Sequence, residues 1–124
     1  MDDGRLHEKR FIVLQVDDHT ITCVINSEVS EFVRARPTLL RCQVLMHAVE
    51  HLFMDHDSFI DCSRVRSFMT EEVVADLMSR PEWMLGEATD RCCADIAAGL
   101  KASETLSVVE VTSICGALAD RANP

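Results

Sequence analysis

The hydrophobic period of this chain changes once, near Phe68, and that switch constrains the fold more than any other feature. Upstream, apolar residues alternate or gather in short β-branched runs; downstream, they recur at three- and four-residue spacing. Strands followed by helices make an α+β protein. For 124 residues the size prior gives one domain, 1–124, with a strand-rich part over 10–68 and a mainly helical part over 69–124. A chain of that length buries roughly two thirds of its unfolded surface, enough for one ordinary core.

Arg10–Val16 (RFIVLQV) is rich in β-branched residues, Asp17, Asp18 and His19 supply turn chemistry, and residues 20–26 (TITCVIN) run extended again, which predicts a hairpin. Both runs are apolar on both faces, so they are expected inside a sheet covered on each side. Residues 27–37 are polar, end in Pro37, and read as a loop or short helical turn. Residues 39–46 place Leu40, Cys42, Val44 and Met46 on one parity, the pattern of a half-exposed strand. Residues 47–57 are charged and irregular. Residues 58–68 alternate again around Phe59, Val65 and Phe68 and read as one bent strand or two short ones. Together the strands are expected to curl into a small barrel.

The helical part is punctuated by caps. Thr70 precedes Glu71 and Glu72, and a stripe of Val73, Val74, Leu77 and Met78 stops near Pro81. Thr89 opens a helix over 90–102 with Cys93, Ile96, Ala97 and Leu100 on one face. Ser107 and Glu110 form a capping box ahead of Val111, Ile114, Cys115 and Leu118.

Charge narrows the partners. Twelve basic and 21 acidic residues give a net charge of −9, which argues against a protein that wraps duplex DNA, because phosphate binding runs on Lys and Arg, but leaves room for a small local basic site. The first 68 residues hold 11 acids and 8 bases and the last 56 hold 10 and 4, so an anionic ligand is expected on the strand-rich part. No apolar leader and no run of the ~20 apolar residues needed to span a bilayer is visible, so no membrane partner and a cytoplasmic location are expected. The six cysteines show no CxxC spacing and read as buried thiols in a reducing compartment.

Three constellations could carry chemistry. In His47-Ala-Val-Glu50-His51, two imidazoles four apart on a helix could grip one zinc ion, with Glu50 as general base; the plainer reading is a solvated loop with surface histidines. Asp55, His56, Asp57 and Ser58, with Asp61 and Cys62, offer a hydroxyl beside an imidazole, but no nucleophile elbow surrounds it, and strand entry is the expected role. Arg10, Arg34, Arg36, Arg41, Arg64 and Arg66 all fall in the strand-rich part, and guanidinium groups suit phosphate. If Arg10, Arg41 and Arg64 converge they could hold a nucleic acid strand; otherwise they are solvated faces. Aromatic content is 5 %, with one Trp and no Tyr, a poor supply for base stacking.

Four stretches give the chain a resemblance to the MazF/PemK toxins of bacterial toxin–antitoxin pairs: Arg10-Phe-Ile-Val-Leu14, Thr22-Cys-Val-Ile-Asn-Ser27, Ser58-Phe-Ile-Asp-Cys-Ser-Arg-Val-Arg66 and Leu85-Gly-Glu-Ala-Thr-Asp-Arg-Cys-Cys-Ala-Asp-Ile96. The resemblance covers about residues 10–102. It implies a small SH3-like, partly open β-barrel followed by C-terminal helices, a homodimer, an antitoxin peptide or protein as partner, and cleavage of single-stranded RNA without a metal or other cofactor. Carried over by motif, the catalytic arginine falls on Arg10 and the catalytic hydroxyl on Ser27, with Arg41, Arg64 and Arg66 left to bind substrate. Two departures stand out: Phe11 follows Arg10 where the family has proline, and only nine residues precede that arginine.

Overall fold

The computed structural model describes residues 9–122; residues 1–8 and the last two lie outside the described residues. Five strands come first: β1 (Arg10–Val16), β2 (His19–Asn26), β3 (Gln43–Met46), β4 (Ser58–Asp61) and β5 (Arg66–Met69). Two single-turn helices, α1 (Glu31–Arg34) and α2 (Pro37–Leu40), interrupt them, and α3 (Thr70–Ser79), α4 (Asp90–Lys101) and α5 (Val108–Ala122) follow. The protein is therefore α+β. Among the described residues no helix is long and apolar enough to cross a membrane.

The sheet is antiparallel, ordered β1-β2-β4-β3, with β5 also on β2. β1 and β3 each pair on one side only, so the described strands form an open sheet. The β1–β2 hairpin turns at Asp17 and Asp18, and its register shifts between Val13 and Gln15. That bulge turns Gln15 toward α5, where its Nε2 donates to Ser113 Oγ at 2.9 Å.

A second bulge sets the curvature. Thr22 pairs with Arg66 and Ile25 with Ile60, so residues 61–65 face just Cys23 and Val24. This surplus of chain divides one long strand into β4 and β5 and bends it around β2, as the alternation over 58–68 predicts. Asp61 fastens the bulge: its Oδ1 accepts from Ser63 N at 3.0 Å, Ser63 Oγ at 2.6 Å and Gln43 Nε2 at 3.1 Å. The Ser63 carbonyl, unpaired by the ladder, accepts from Ser103 Oγ at 2.8 Å and from the Thr105 hydroxyl, which ties the α4–α5 loop to the sheet.

The core lies between one face of the sheet and the last two helices. Ile12, Leu14, Cys23, Val44, Met46, Ile60 and Cys62 meet Cys92, Cys93, Ile96 and Leu100 of α4 and Ile114 and Leu118 of α5. The caps act as the sequence indicates. Thr89 accepts from Cys92 N at 3.1 Å, Ser107 N donates to Glu110 Oε1 at 3.0 Å, and Glu110 N donates to Ser107 Oγ at 3.1 Å. Gly99 lets α4 approach closely: a Cβ there would stand 2.8 Å from Val44 Cγ2 and 3.2 Å from Cys62 Cβ.

Three expectations are corrected. The helices α4 and α5 cover one face of the hairpin, while the other is closed over Thr20 and Thr22 and open at Phe11 and Val13. Phe11 and Val13 are 37 % and 41 % exposed, because α4 and α5 both pack on the other side. Residues 39–46 do not form one strand. Pro37, with its φ preset for a first helical position, starts α2, and β3 begins only at Gln43. Thr70 is not a cap but the first residue of α3. Its hydroxyl donates to Asp17 O at 2.6 Å and lies 2.8 Å from Thr20 Oγ1, fixing the sheet end while α3 buries none of its own residues.

Two glycine substitutions test the packing. Gly99→Ala is expected to cost about 1–3 kcal/mol, because overpacking outweighs the gain in helix propensity. Gly116→Ala, with nothing within 4 Å of the new methyl, is expected to gain up to about 1 kcal/mol. Denaturant melts that show the two changing stability in the same direction would refute this account of the α4 contact.

Candidate functional site

Arg10 is the first residue of β1 and pairs with Ile25, and Ser27 follows directly after β2. The register thus brings both residues to one end of the hairpin, the end where β3 finishes and β4 begins. Both are exposed. Arg10 shares the parity of buried Ile12 and reaches Met54 across the rim, its Nη1 lying 3.8 Å from the thioether sulfur. The guanidinium makes no ion pair among the described residues.

The other arginines proposed for substrate do not join it. Arg41 precedes β3, at the far end of that strand, and pairs with Glu104 Oε2 at 3.4 Å. Arg64 lies in the bulge beside Ser63, whose carbonyl holds Ser103 and Thr105, so Arg41 and Arg64 both border the α4–α5 loop. Arg66 pairs with Thr22 on the sheet face opposite α4 and α5. The Arg41–Glu104 pair is exposed and contributes little to stability.

His47, Glu50 and His51 form a structural hub rather than a metal grip. The segment is a single 3-10 turn, Ala48–Glu50, not a helix, so the four-residue spacing does not stack the imidazoles. His51 is 1 % exposed. Its Nε2 accepts from Thr89 N at 3.1 Å, which leaves the proton on Nδ1 to donate to His47 O at 2.7 Å. Both ring nitrogens are spent on backbone. Glu50 Oε1 accepts from the Thr89 hydroxyl at 3.3 Å, and its other oxygen lies 3.9 Å from Arg91. Among the described residues no group of three or more His, Cys, Asp or Glu side chains is placed to hold a metal ion. What reads as metal spacing instead positions the first turn of α4.

The serine constellation is closed as well. Ser58 is buried, its Oγ is 3.5 Å from His56 Nδ1, and that nitrogen lies 2.8 Å from Asp57 O. Asp57 itself accepts from Ala48 N at 2.8 Å. These residues secure the entry to β4.

Two features escape the sequence reading. A cleft of about 300 Å³ opens along the free edge of β3 against α4, with Arg41 at one end and His47 and Asp95 also in its wall. It depends on a tertiary edge that no local pattern reveals. The second is Phe32, 60 % exposed on α1, with the Arg36 guanidinium 3.5 Å from its ring centroid. Spacing of four residues on a helical turn is the signal that could have found it.

Four thiols, Cys42, Cys62, Cys92 and Cys93, are held protonated. All six cysteines are free; five are buried and Cys115 is half-buried. Burial, reinforced by Cys93, Asp95 and Glu50, pushes Cys92 up to about 11. A hydrogen bond with Cys23 and then burial raise Cys62, and burial is the main cause at Cys42 and Cys93. Thiolate chemistry at these positions is suppressed.

Comparison with protein-family models, curated proteins and solved structures gives no match in any of the three. The site is therefore read from its own geometry.

His51→Ala is expected to cost about 2–4 kcal/mol, because it leaves Thr89 N–H and His47 C=O without their partner and opens a cavity; a loss below about 0.5 kcal/mol in denaturant melts would refute the hub. The raised Cys92 thiol also sets a direction with pH. Its contribution to stability is full below the ordinary value near 9.0 and is lost as pH rises toward about 11. Melts between pH 9 and 11 should therefore show falling stability, and Cys92→Ser should flatten that fall.

Proposed function

We propose that the chain is an RNA-directed domain of the MazF/PemK kind, with Arg10 and Ser27 as the pair that acts on a phosphodiester. The observation that carries the reading is the β1–β2 register, Arg10 opposite Ile25, which delivers one exposed guanidinium and one exposed hydroxyl to the same end of the sheet. In this reading the ribose 2′-oxygen attacks the adjacent phosphorus. The new 2′-O–P bond closes a cyclic phosphate, the P–O5′ bond breaks, and a proton passes from the 2′-hydroxyl to the departing 5′-oxygen through solvent or a side chain. Arg10 stabilises the charge that grows on the phosphoryl oxygens, and the Ser27 hydroxyl donates to a non-bridging oxygen.

The SH3-like, partly open barrel belongs to the same proposal. It is supported by the way β4 and β5 bend as one strand around β2, with β1 and β3 left as rims. A homodimer fits the apolar residues left bare at the start of α5, where Val108 and Val109 are exposed. An antitoxin segment is the expected protein partner.

A second reading is favoured by a different observation, the free edge of β3 beside the cleft. There the chain would bind an extended protein segment by adding a strand, without catalysis. The two readings differ in what Arg10 does.

Purified protein should cleave single-stranded RNA without added metal. Arg10→Ala should lower the rate by about 100-fold or more, as the loss of a charge-stabilising donor does, and Ser27→Ala should also lower it. RNA left intact by the wild-type chain, or full cleavage by Arg10→Ala, would remove the ribonuclease reading. Capture of a strand-forming partner that is lost on substitution of β3 would then establish the second.

A further inference from the structure

β3 ends the sheet with its hydrogen-bonding edge open. Cys62 N donates to Cys42 O at 2.9 Å, and the register runs on through Val44 opposite Ile60 to Met46 opposite Ser58. Bonded pairs alternate along an antiparallel ladder. Val44 and Met46 therefore turn their N–H and C=O groups to β4, and Gln43 and Leu45 turn theirs outward. Among the described residues no hydrogen bond uses those four outward groups. The strand, Gln-Val-Leu-Met, has neither the Pro nor the Lys that guards an exposed edge.

α4 walls the cleft of about 300 Å³ beside this edge. It runs against β3: Thr89, at its start, meets His51 beyond one end of the strand, and Glu104, just past its end, meets Arg41 before the other. Gly99 brings α4 close to Val44, and Ala98 adds only a methyl to the wall. Asp95, one turn earlier, is exposed and makes no ion pair among the described residues. Arg41, at the opposite end, is already paired with Glu104. The uncommitted charge of the cleft is therefore negative, in a chain of net charge −9.

We propose that this edge binds an extended basic segment as a sixth strand, antiparallel to β3, with a large aliphatic side chain opposite Val44 and a Lys or Arg two residues earlier beside Asp95. The inference rests on the strand-addition reading of the β3 edge and names its partner. A residue opposite Val44 points its side chain the way Val44 does, toward α4, and so enters the cleft at Ala98 and Gly99. The next side chain on that face is two residues away, about 7 Å along the strand. From Gly99 back to Asp95 the helix covers four residues, about 6 Å. The two spacings match, so the aliphatic anchor and the cation reach their places together. The antiparallel sense follows the pairs already in the sheet. An acidic segment would meet Asp95 and the field of the whole chain.

The test is an NMR titration of the isotope-labelled full chain with the blocked peptide Thr-Lys-Thr-Leu-Thr-Thr, at about pH 8, where the His47 ring in the same wall is ordinarily neutral. The Gln43 and Leu45 amide signals should shift and saturate. Exchanging the peptide Lys for Glu should weaken binding about fivefold, the upper range for an exposed ion pair, and Asp95→Lys should reverse that preference. Exchanging the peptide Leu for Ser should cost about tenfold or more, and Ala98→Leu, which fills the cleft, should cost the same. N-methylation of the Thr between Lys and Leu removes the donor to the Leu45 carbonyl and should abolish binding. Asp95 and Ala98 are exposed, so both variants should melt as the wild type does. Equal binding of the Lys and Glu peptides, or no reversal by Asp95→Lys, overturns the inference; if N-methylation still abolishes binding, strand addition stands without it. Binding that survives N-methylation removes strand addition itself. Absence of binding by the Lys peptide overturns the inference, as do Gln43 and Leu45 signals that move with protein concentration alone, which would make a second copy the occupant.

Discussion

One carboxylate oxygen organises the sheet. Asp61 Oδ1 accepts three hydrogen bonds inside the β4–β5 bulge, and that bulge decides which strands exist. Without the surplus of residues 61–65, the chain from Ser58 to Met69 would lie flat along β2. With it, β4 pairs the end of β2 and β3, β5 pairs the start of β2, and the freed Ser63 carbonyl becomes the anchor for the loop between α4 and α5. The bulge therefore bends the sheet and also fixes where the last two helices return to it.

A second hub, at His51, links the turn before β4 to the start of α4. Its two ring nitrogens bridge the His47 carbonyl and the Thr89 amide, and Glu50 completes the contact through the Thr89 hydroxyl. A buried polar group tolerates its environment only when its hydrogen bonds are met, and here all are met by backbone. The same logic governs the cysteines. Cys23, Cys42 and Cys62 fill the space under α4 as small apolar groups, and Gly99 leaves room for them. The polar and sulfur-bearing residues that look most chemical in the primary structure are the ones most fully committed to holding it.

Arg10 and Ser27 share one end of the hairpin and are both exposed. The chain as a whole carries a net charge of −9, and Glu71, Glu72, Asp76 and Glu82 make α3 and the Trp83 turn acidic. Long-range steering of a polyanion is weak for a protein of this charge.

The amino-acid sequence by itself determined the α+β division, the hairpin, the bent strand over 58–68, and the caps of α4 and α5. Each of these follows from local period or from a side chain that satisfies a backbone group a few residues away. It also showed that the thiols serve the core and that Arg10 and Ser27 belong to neighbouring strand ends. Pro37 was legible as a breaker, but not as the start of a helix that shortens β3. Only the tertiary structure decided which face of the hairpin is covered, that His51 is a buried bridge and not a ligand, that Arg41, Arg64 and Arg66 lie apart from Arg10, and that Phe32 stands in solvent under a guanidinium. Those outcomes turn on which distant surfaces meet. The spacing of His47 and His51 looks the same whether the chain is helical or a single 3-10 turn, and only the arrival of Thr89 from residues far along the chain selects between them.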